Sequence, residues 1–325
     1  MRLFALKGTE TLGRAIAAEI GCEFDPLEER EFPEGEHKSR PLISVRDEDV
    51  YVVHSLYGHD GQSPDDRLLR LLFFIATCRD NGAARVTAVV PYLAFMRKEV
   101  QTKPRDPVTT RYVAAMFEAV GTDMMVGLEV HNKAAFQNAF RCLTTHLDAD
   151  RLLVQQVQKL AGDEQVVFVS PDTGGMKRAS RLQGVYEAAA GRSAGTAMME
   201  KHRSEGVVSG ALFAGEVKGE VVFIVDDMIA TGGTVLRAAE ACRQRGATRV
   251  YALATHALVE HWTDEFITNS VIDRIVVTDS VGSLHNLSPA ITSKVEIVSC
   301  ASLLGDAIKR LHAGGSINRL LNPLP

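Results

Sequence analysis

The stretch Val221-Val222-Phe223-Ile224-Val225-Asp226-Asp227-Met228-Ile229-Ala230-Thr231-Gly232-Gly233-Thr234 decides how the chain reads. Its five leading apolar residues, mostly β-branched, predict a strand buried on both faces, as in a parallel sheet covered by helices. Asp226 and Asp227 follow at the strand's carboxyl end, then the loop Thr231–Thr234 and a helix-like run, Val235–Arg245. Ligands of open α/β sheets bind just beyond the carboxyl ends of the strands. Glycines let backbone N–H groups close around a phosphate, and the helix N-terminus adds its positive dipole end. The threonine hydroxyls can donate further hydrogen bonds, and the carboxylates suit ribose hydroxyls, directly or through Mg²⁺. Burying two adjacent aspartates without a partner is costly, so a purely structural corner is the weaker reading.

The 325 residues allow two ordinary domains or one large one. With 46% hydrophobic and 24% charged residues, the composition is that of a soluble globular protein. A formal charge of -5 gives no support to nucleic-acid binding through a basic face. The cysteines Cys22, Cys78, Cys142, Cys242 and Cys300 are scattered, with no C-x-x-C pair. That argues against a zinc site or a disulfide framework and fits a reducing compartment. The opening residues MRLFALKGTETLGR lack the apolar core of a signal peptide. No run reaches the roughly 18 apolar residues of a membrane span. The expectation is a cytoplasmic enzyme with no nucleic-acid or membrane partner.

Taken in order, residues 2–6 predict a strand and Thr11–Ile20 a helix stopped by Gly21. Phe32-Pro33-Glu34-Gly35-Glu36-His37 reads as an exposed turn with a ring and two carboxylates; by itself a solvated loop is the simpler reading. Val50–His54 predicts a buried strand. Asp66–Cys78 predicts a helix whose broad apolar stripe (Leu68, Leu69, Leu72, Phe73, Ile75) reads as core. Pro91–Glu99 leaves the strand Val86–Val90 with Arg97 and Lys98 at its carboxyl end, where cations can meet phosphates. The prolines of Val100–Pro107 predict a mobile loop. Met124–Val130 ends in His131, a position where a ligand role and a structural one are equally open. Asp148–Leu160 predicts the helix that opens a second domain. After the strand Val166–Val169, the stretch Ser170–Arg178 places Asp172 among glycines and basic residues, and a carboxylate there suits Mg²⁺. Glu200–Gly206, with Lys201 and Arg203, reads by itself as charged surface. Val259–Thr268 predicts one helix, and Ser302–His312 another near the end.

An internal repeat links the halves. Gly82-Ala83-Ala84-Arg85-Val86 recurs as Gly246-Ala247-Thr248-Arg249-Val250, each after an amphipathic helix and each opening a strand. Two related α/β domains follow from it. The earlier strand ends in His54-Ser55, the later one in Asp226-Asp227, so the acidic corner belongs to the second half alone.

These motifs, in order and spacing, resemble the ribose-phosphate diphosphokinase family from about residue 3 to residue 321; Val221–Thr234 alone resembles the loop shared with phosphoribosyltransferases. The resemblance implies an α/β fold of two duplicated phosphoribosyltransferase-like domains, each a mainly parallel sheet flanked by helices. The expected boundaries are 1–147 for the ATP side, completed by 302–325, and 148–301 for the ribose 5-phosphate side. It implies that the diphosphoryl group of Mg²⁺-bound ATP passes to the anomeric hydroxyl of ribose 5-phosphate, with AMP leaving. Lys201 and Arg203, on a flexible catalytic loop, would be catalytic. Phe32, Glu34 and Glu36 would bind ATP from a neighbouring subunit, with Arg97 and Lys98 at ATP on the chain's own side. His131 and Asp172 would serve Mg²⁺. Asp226, Asp227, Thr231, Gly232, Gly233 and Thr234 would hold ribose 5-phosphate. A homo-oligomer is implied, at least a dimer, with a tetramer or hexamer open.

The chain departs from the family pattern at three places. Ala230 stands where many members carry a third acid, which keeps a different ribose phosphate open as substrate. Lys98 replaces a glutamine that helps hold ATP, and Glu129-Val130-His131 alters a D-x-H. The short loop Val100–Pro107 resembles archaeal-type members. A non-catalytic regulatory paralogue is the other reading; it predicts loss of the Lys201/Arg203 pair, His131 or the acidic pair, and all three are present.

Overall fold

Apolar runs closed by glycine turns build both halves. The computed structural model describes residues 1–59, 61–204, 207–281 and 287–321; the side chains of 200–211, 290, 319 and 321 lie outside the description. The chain divides into two compact units, one of residues 1–148 with 280–281 and 299–321, the other of 149–279 with 287–298.

The first unit begins β1 (Arg2–Ala5), α1 (Glu10–Ile20), β2 (Leu27–Glu31), β3 (His37–Pro41), β4 (Asp49–Val53), α2 (Pro64–Asp80) and β5 (Arg85–Val90). It continues α3 (Thr109–Ala119), β6 (Met124–Leu128), α4 (Lys133–Ala139) and β7 (Leu143–Leu147). Among the described residues its sheet runs β1-β4-β5-β6-β7, parallel throughout, and β2 and β3 form a separate antiparallel hairpin. Helix α2 buries Leu68, Leu71, Leu72 and Ile75, the spacing of one helical face. The wider stripe expected from the sequence is narrower in fact. Leu69 and Phe73 are about half exposed, and the Phe73 ring stacks on His37 of the hairpin at 5.3 Å.

The second unit runs α5 (Asp150–Ala161), β8 (Val166–Ser170), α6 (Met176–Ala190), β9 (Gly195–Ser204), β10 (Val207–Ala214), β11 (Val221–Ile229) and α7 (Gly233–Gln244). Then come β12 (Arg249–Ala257), α8 (Asp264–Thr268), β13 (Arg274–Thr278), α9 (Pro289–Thr292) and β14 (Val295–Val298). Its sheet order is β10-β9-β8-β11-β12-β13-β14, with only the β9–β10 pair antiparallel among the described residues. Two mainly parallel α/β layers are thus present, as the sequence predicts. Helix α10 (Ala301–His312) returns to the first unit, followed by α11 (Asn318–Leu321). There Lys309 donates to the Glu19 carbonyl, and His312 Nδ1 lies 2.6 Å from the Asp49 carboxylate. A Cβ on Gly305 would stand 3.0 Å from that of Glu19, so close approach of α10 to α1 needs the glycine.

The repeat recurs bond for bond. Gly82 and Gly246 both take positive φ, +85° and +88°. Ala84 N–H donates to Glu48 O at 2.9 Å, and Thr248 N–H to Glu220 O at 2.9 Å. Val86 N–H reaches the Asp123 carboxylate at 2.7 Å, and Val250 N–H that of Asp273 at 2.6 Å. Arg85 and Arg249 each donate to a tyrosine hydroxyl, Tyr51 and Tyr251, at 3.1 Å.

Three differences from the sequence reading concern the second unit. Strand β11 runs past Val225 to Ile229, because its later residues stay paired with β12. Val259–Thr268 is not one helix. A 3₁₀ turn, Val259–His261, stops at Trp262, and Thr263 caps α8 by accepting from Phe266 N–H at 3.2 Å. Lys201 and Arg203 have backbone in β9, opposite Ala211 and Val208 of β10, rather than in a loop; their side chains lie outside the described residues. No helix among the described residues is long and apolar enough to cross a membrane.

Phe168, Phe223 and Tyr251 lie in register across β8, β11 and β12, with ring centroids 6.1 and 5.0 Å apart. Phe223 is fully buried. Phe223→Ala is therefore expected to destabilise the second unit by about 3–5 kcal/mol. Urea unfolding followed by circular dichroism measures this, and a loss below about 1 kcal/mol would contradict a packed aromatic row.

Candidate functional site

The acidic pair sits in the carboxyl-terminal half of β11. Asp227 is buried and Asp226 half-buried. Asp226 Oδ1 accepts the N–H of Asp227 at 2.9 Å. Arg178, in the first turn of α6, spans both acids, with N···O distances of 3.5 Å to Asp226 Oδ1 and 3.5 Å to Asp227 Oδ1. Burial, then the adjacent Asp227, push the Asp226 carboxyl well above the usual carboxylate range, against the pull of Arg178. Burial therefore favours the neutral form of Asp226 beside Asp227 and Arg178.

The Thr231–Thr234 loop rests on an aromatic floor. Gly232 has φ +85°, and a Cβ there would stand 2.1 Å from the Phe266 ring. Trp262 meets Phe266 edge to face at 5.1 Å and donates its indole N–H to Ile229 O at 3.0 Å. Thr263 N–H donates to Thr231 O at 3.3 Å. The intrahelical ladder of α7 starts with Leu236 N–H on Gly232 O at 2.9 Å. The amides just before Leu236 lie in the first turn of α7, where a helix presents N–H donors of the kind that receive a phosphate. Arg237 stands one turn on and donates to Thr234 Oγ1 at 3.3 Å.

Asp172 lies at the end of β8, next to β11. Its Oδ1 accepts Gly175 N–H at 2.9 Å, and its carbonyl accepts the Ser170 hydroxyl at 2.6 Å. A Cβ on Gly175 would meet Ser170 Oγ at 2.6 Å, so a side chain there would push that hydroxyl off the Asp172 carbonyl. Asp172, Arg178, Asp226, Asp227 and the Thr231–Thr234 loop therefore all lie at the carboxyl ends of the adjacent strands β8 and β11.

The first unit holds the other predicted residues. Phe32, Glu34 and Glu36 form the tip of the β2–β3 hairpin, closed by Phe32 N–H on Glu36 O at 2.8 Å and by Gly35 at φ +89°. Glu34 and Glu36 are exposed, and the Arg30 guanidinium lies 5.1 Å from the Phe32 ring centre. Arg70 of α2 anchors the hairpin through Glu31 at 2.9 Å. Arg97 is exposed beyond β5. Lys98 does not extend into solvent; its ammonium is bound by Asp106 and by Thr102 at 2.8 Å. That contact holds the Asp106 carboxyl down to about 2. Glu99 accepts from Asn132 Nδ2 at 2.7 Å, which joins this stretch to the segment carrying the exposed His131. Buried Glu129, just before it, takes the left-handed φ of +41°. Among the described residues no group of three or more His, Cys, Asp or Glu is placed to hold a metal ion.

The sequence shows Arg178 only within a basic run, and nothing in its spacing points to the acids of β11, 48 residues on. Arg237 carries no sequence signal at all.

Asp226 keeps its proton to higher pH in the folded protein than its ordinary value of 3.8. Its favourable contribution is complete below that value and is lost as pH rises through the folded pKa. Asp226→Asn cannot ionise, so it is expected to raise Tm more at about pH 8 than at about pH 4. Thermal scans at both pH values check this; an equal shift at both would contradict it.

Residues 1–121 match the family model described as the N-terminal domain of ribose phosphate pyrophosphokinase, and residues 204–322 that of the phosphoribosyl synthetase-associated domain. The ribose-phosphate pyrophosphokinase of Vibrio parahaemolyticus is 33% identical over 324 residues, covering 99% of this chain and 99% of its own. That of Chlorobaculum tepidum is 31% identical over 323 residues, covering 99% and 95%. The crystal structure of phosphoribosylpyrophosphate synthetase from Mycobacterium smegmatis, 27% identical, superposes with a TM-score of 0.84 over 97% of this chain and 99% of that one. With such identity along almost its whole length, and the same fold, the chain belongs to the ribose-phosphate pyrophosphokinase family.

Proposed function

We propose that the chain transfers the β,γ-diphosphoryl group of Mg²⁺-bound ATP to the anomeric hydroxyl of ribose 5-phosphate, giving phosphoribosyl diphosphate and AMP. The observation that carries this is the Arg178-bridged acid pair beside the Thr231–Thr234 loop. Asp226 and Asp227 accept hydrogen bonds from the ribose hydroxyls. The loop amides, Thr231 and Thr234 take the 5-phosphate at the head of α7. The sugar's anomeric oxygen attacks the β-phosphorus, and the bond to the AMP oxygen breaks.

The ATP side falls to the first unit, with the boundaries 1–147 and 302–325, and the sugar side to 148–301. Arg97 faces the phosphates, and the Phe32, Glu34 and Glu36 tip binds the nucleotide of a neighbouring subunit, which makes the enzyme a homo-oligomer. Lys201 and Arg203 stabilise the charge that gathers on the transferred group. The residues present fit Mg²⁺, a hard cation that takes carboxylate oxygens. Asp172 is a half-exposed acid, and Asp226 and Asp227 lie beside it at the end of the neighbouring strand. Asp172 and His131 would serve the ion that ATP brings; when bound, it offsets phosphate charge.

The test is to incubate the protein with Mg²⁺, ATP and ribose 5-phosphate and follow ³¹P NMR. AMP and a diphosphate-substituted sugar are expected. AMP formed only with another sugar phosphate would place the difference at Ala230, and no AMP with any sugar would favour the regulatory reading. Lys201→Ala should lower kcat by about 10²-fold or more with ribose 5-phosphate still bound, and near-normal turnover would remove Lys201 from this role. Co-expressed Phe32→Ala and Lys201→Ala chains should regain activity in mixed oligomers, because one site then combines both intact residues. No recovery would place the Phe32 tip outside a neighbour's site.

A further inference from the structure

The loop that follows β5 is organised around one carboxylate. Asp106 Oδ2 binds the Lys98 ammonium, accepts the Thr102 hydroxyl at 2.7 Å, and accepts Lys103 N–H at 3.0 Å. Its backbone carbonyl accepts Gln101 Nε2 at 2.9 Å. Lys98 is held at its other end too: Thr110 brings its N–H to Lys98 O at 3.3 Å and its hydroxyl at 3.2 Å. The next residue, Glu99, is tied to Asn132 at 2.7 Å. An isolated exposed ion pair contributes little. Here one carboxylate closes the loop 98–106 from several directions, and the chain on either side of Lys98 is fastened to different elements.

We infer that Asp106 is a positioning residue for the ATP triphosphate: by holding Lys98 it fixes the loop 98–106 and so presents Arg97, beside the His131 segment, to the phosphates. This rests on the ATP-side reading of Arg97 above. It also changes the role of Lys98. Its charge is engaged inside the loop, so it orders the phosphate-binding segment instead of reaching for the nucleotide. The benefit is preorganisation. A loop already closed in the free enzyme loses little freedom when ATP binds, and the guanidinium stays near its working position.

Two measurements test this. Steady-state kinetics of Asp106→Ala should show KM for ATP raised about tenfold. KM for ribose 5-phosphate and kcat should stay within about twofold, a split that general destabilisation does not produce. Asp106→Glu should restore most of the ATP affinity. The double variant Lys98→Ala/Asp106→Ala should be no worse than either single one, because both remove the same contact. Amide hydrogen exchange of the segment 98–106, in Lys98→Ala without substrates, should be faster than in the parent chain. Unchanged KM for ATP, additive effects of the two substitutions, or unchanged exchange would each overturn the inference. A parent enzyme that forms no AMP would instead refute the proposed reaction, and the exchange measurement would still decide whether the loop is held as described.

Discussion

Two carboxylates side by side in a central, nearly buried strand are the constraint that shapes the second unit. Each repels the other and each loses hydration, so neither would be stable there as an isolated ion. The backbone around them is satisfied by β12, which holds the strand straight to Ile229. Arg178 is brought in from α6, by a turn in which a Cβ at Gly175 would crowd the Ser170 hydroxyl. The cost of burying two adjacent acids is what a ligand with hydroxyl donors, or a divalent cation, would relieve. Strain of this kind is kept at sites that bind, because binding is where it is released.

The same demand explains the loop's underside. A phosphate can approach backbone amides only where no side chain intrudes, so Gly232 must face inward as well as turn left-handed. Phe266 fills the space beneath it, and Trp262 locks that ring from the side. The loop is thus a thin sheet of backbone laid on a hard apolar base.

Much of this was legible in the sequence and some was not, for physical reasons. Buried parallel strands announce themselves as unbroken β-branched runs, which is why Val221–Val225 and the repeated Gly-Ala-x-Arg-Val corners could be read. The match of those corners down to individual hydrogen bonds shows how local their causes are. Contacts made across sequence leave no such trace. Arg178 stood out only as part of a basic cluster, and the pairing of Lys98 with Asp106, across a turn containing Pro104, leaves no pattern in the spacing. Leu69 and Phe73 extended an apolar stripe on paper, while α2 turns them outward, with Phe73 under the hairpin histidine. Trp262 broke an expected helix because its indole is needed beneath Ile229.

Helix α10 has a consequence for how the protein is made. It belongs to the first unit, packing on α1 and reaching Asp49 and Arg85 through His312 and Leu311. Synthesis runs from the N-terminus, and domains generally fold as they emerge. Here the N-terminal unit waits for Ala301–His312, so the α1 surface that this helix covers stays open while the whole second unit is translated. The second unit contains its own sheet and can close first. The first unit is therefore the last to be completed although its sheet is made first, and the α1 face is what stays uncovered in the meantime.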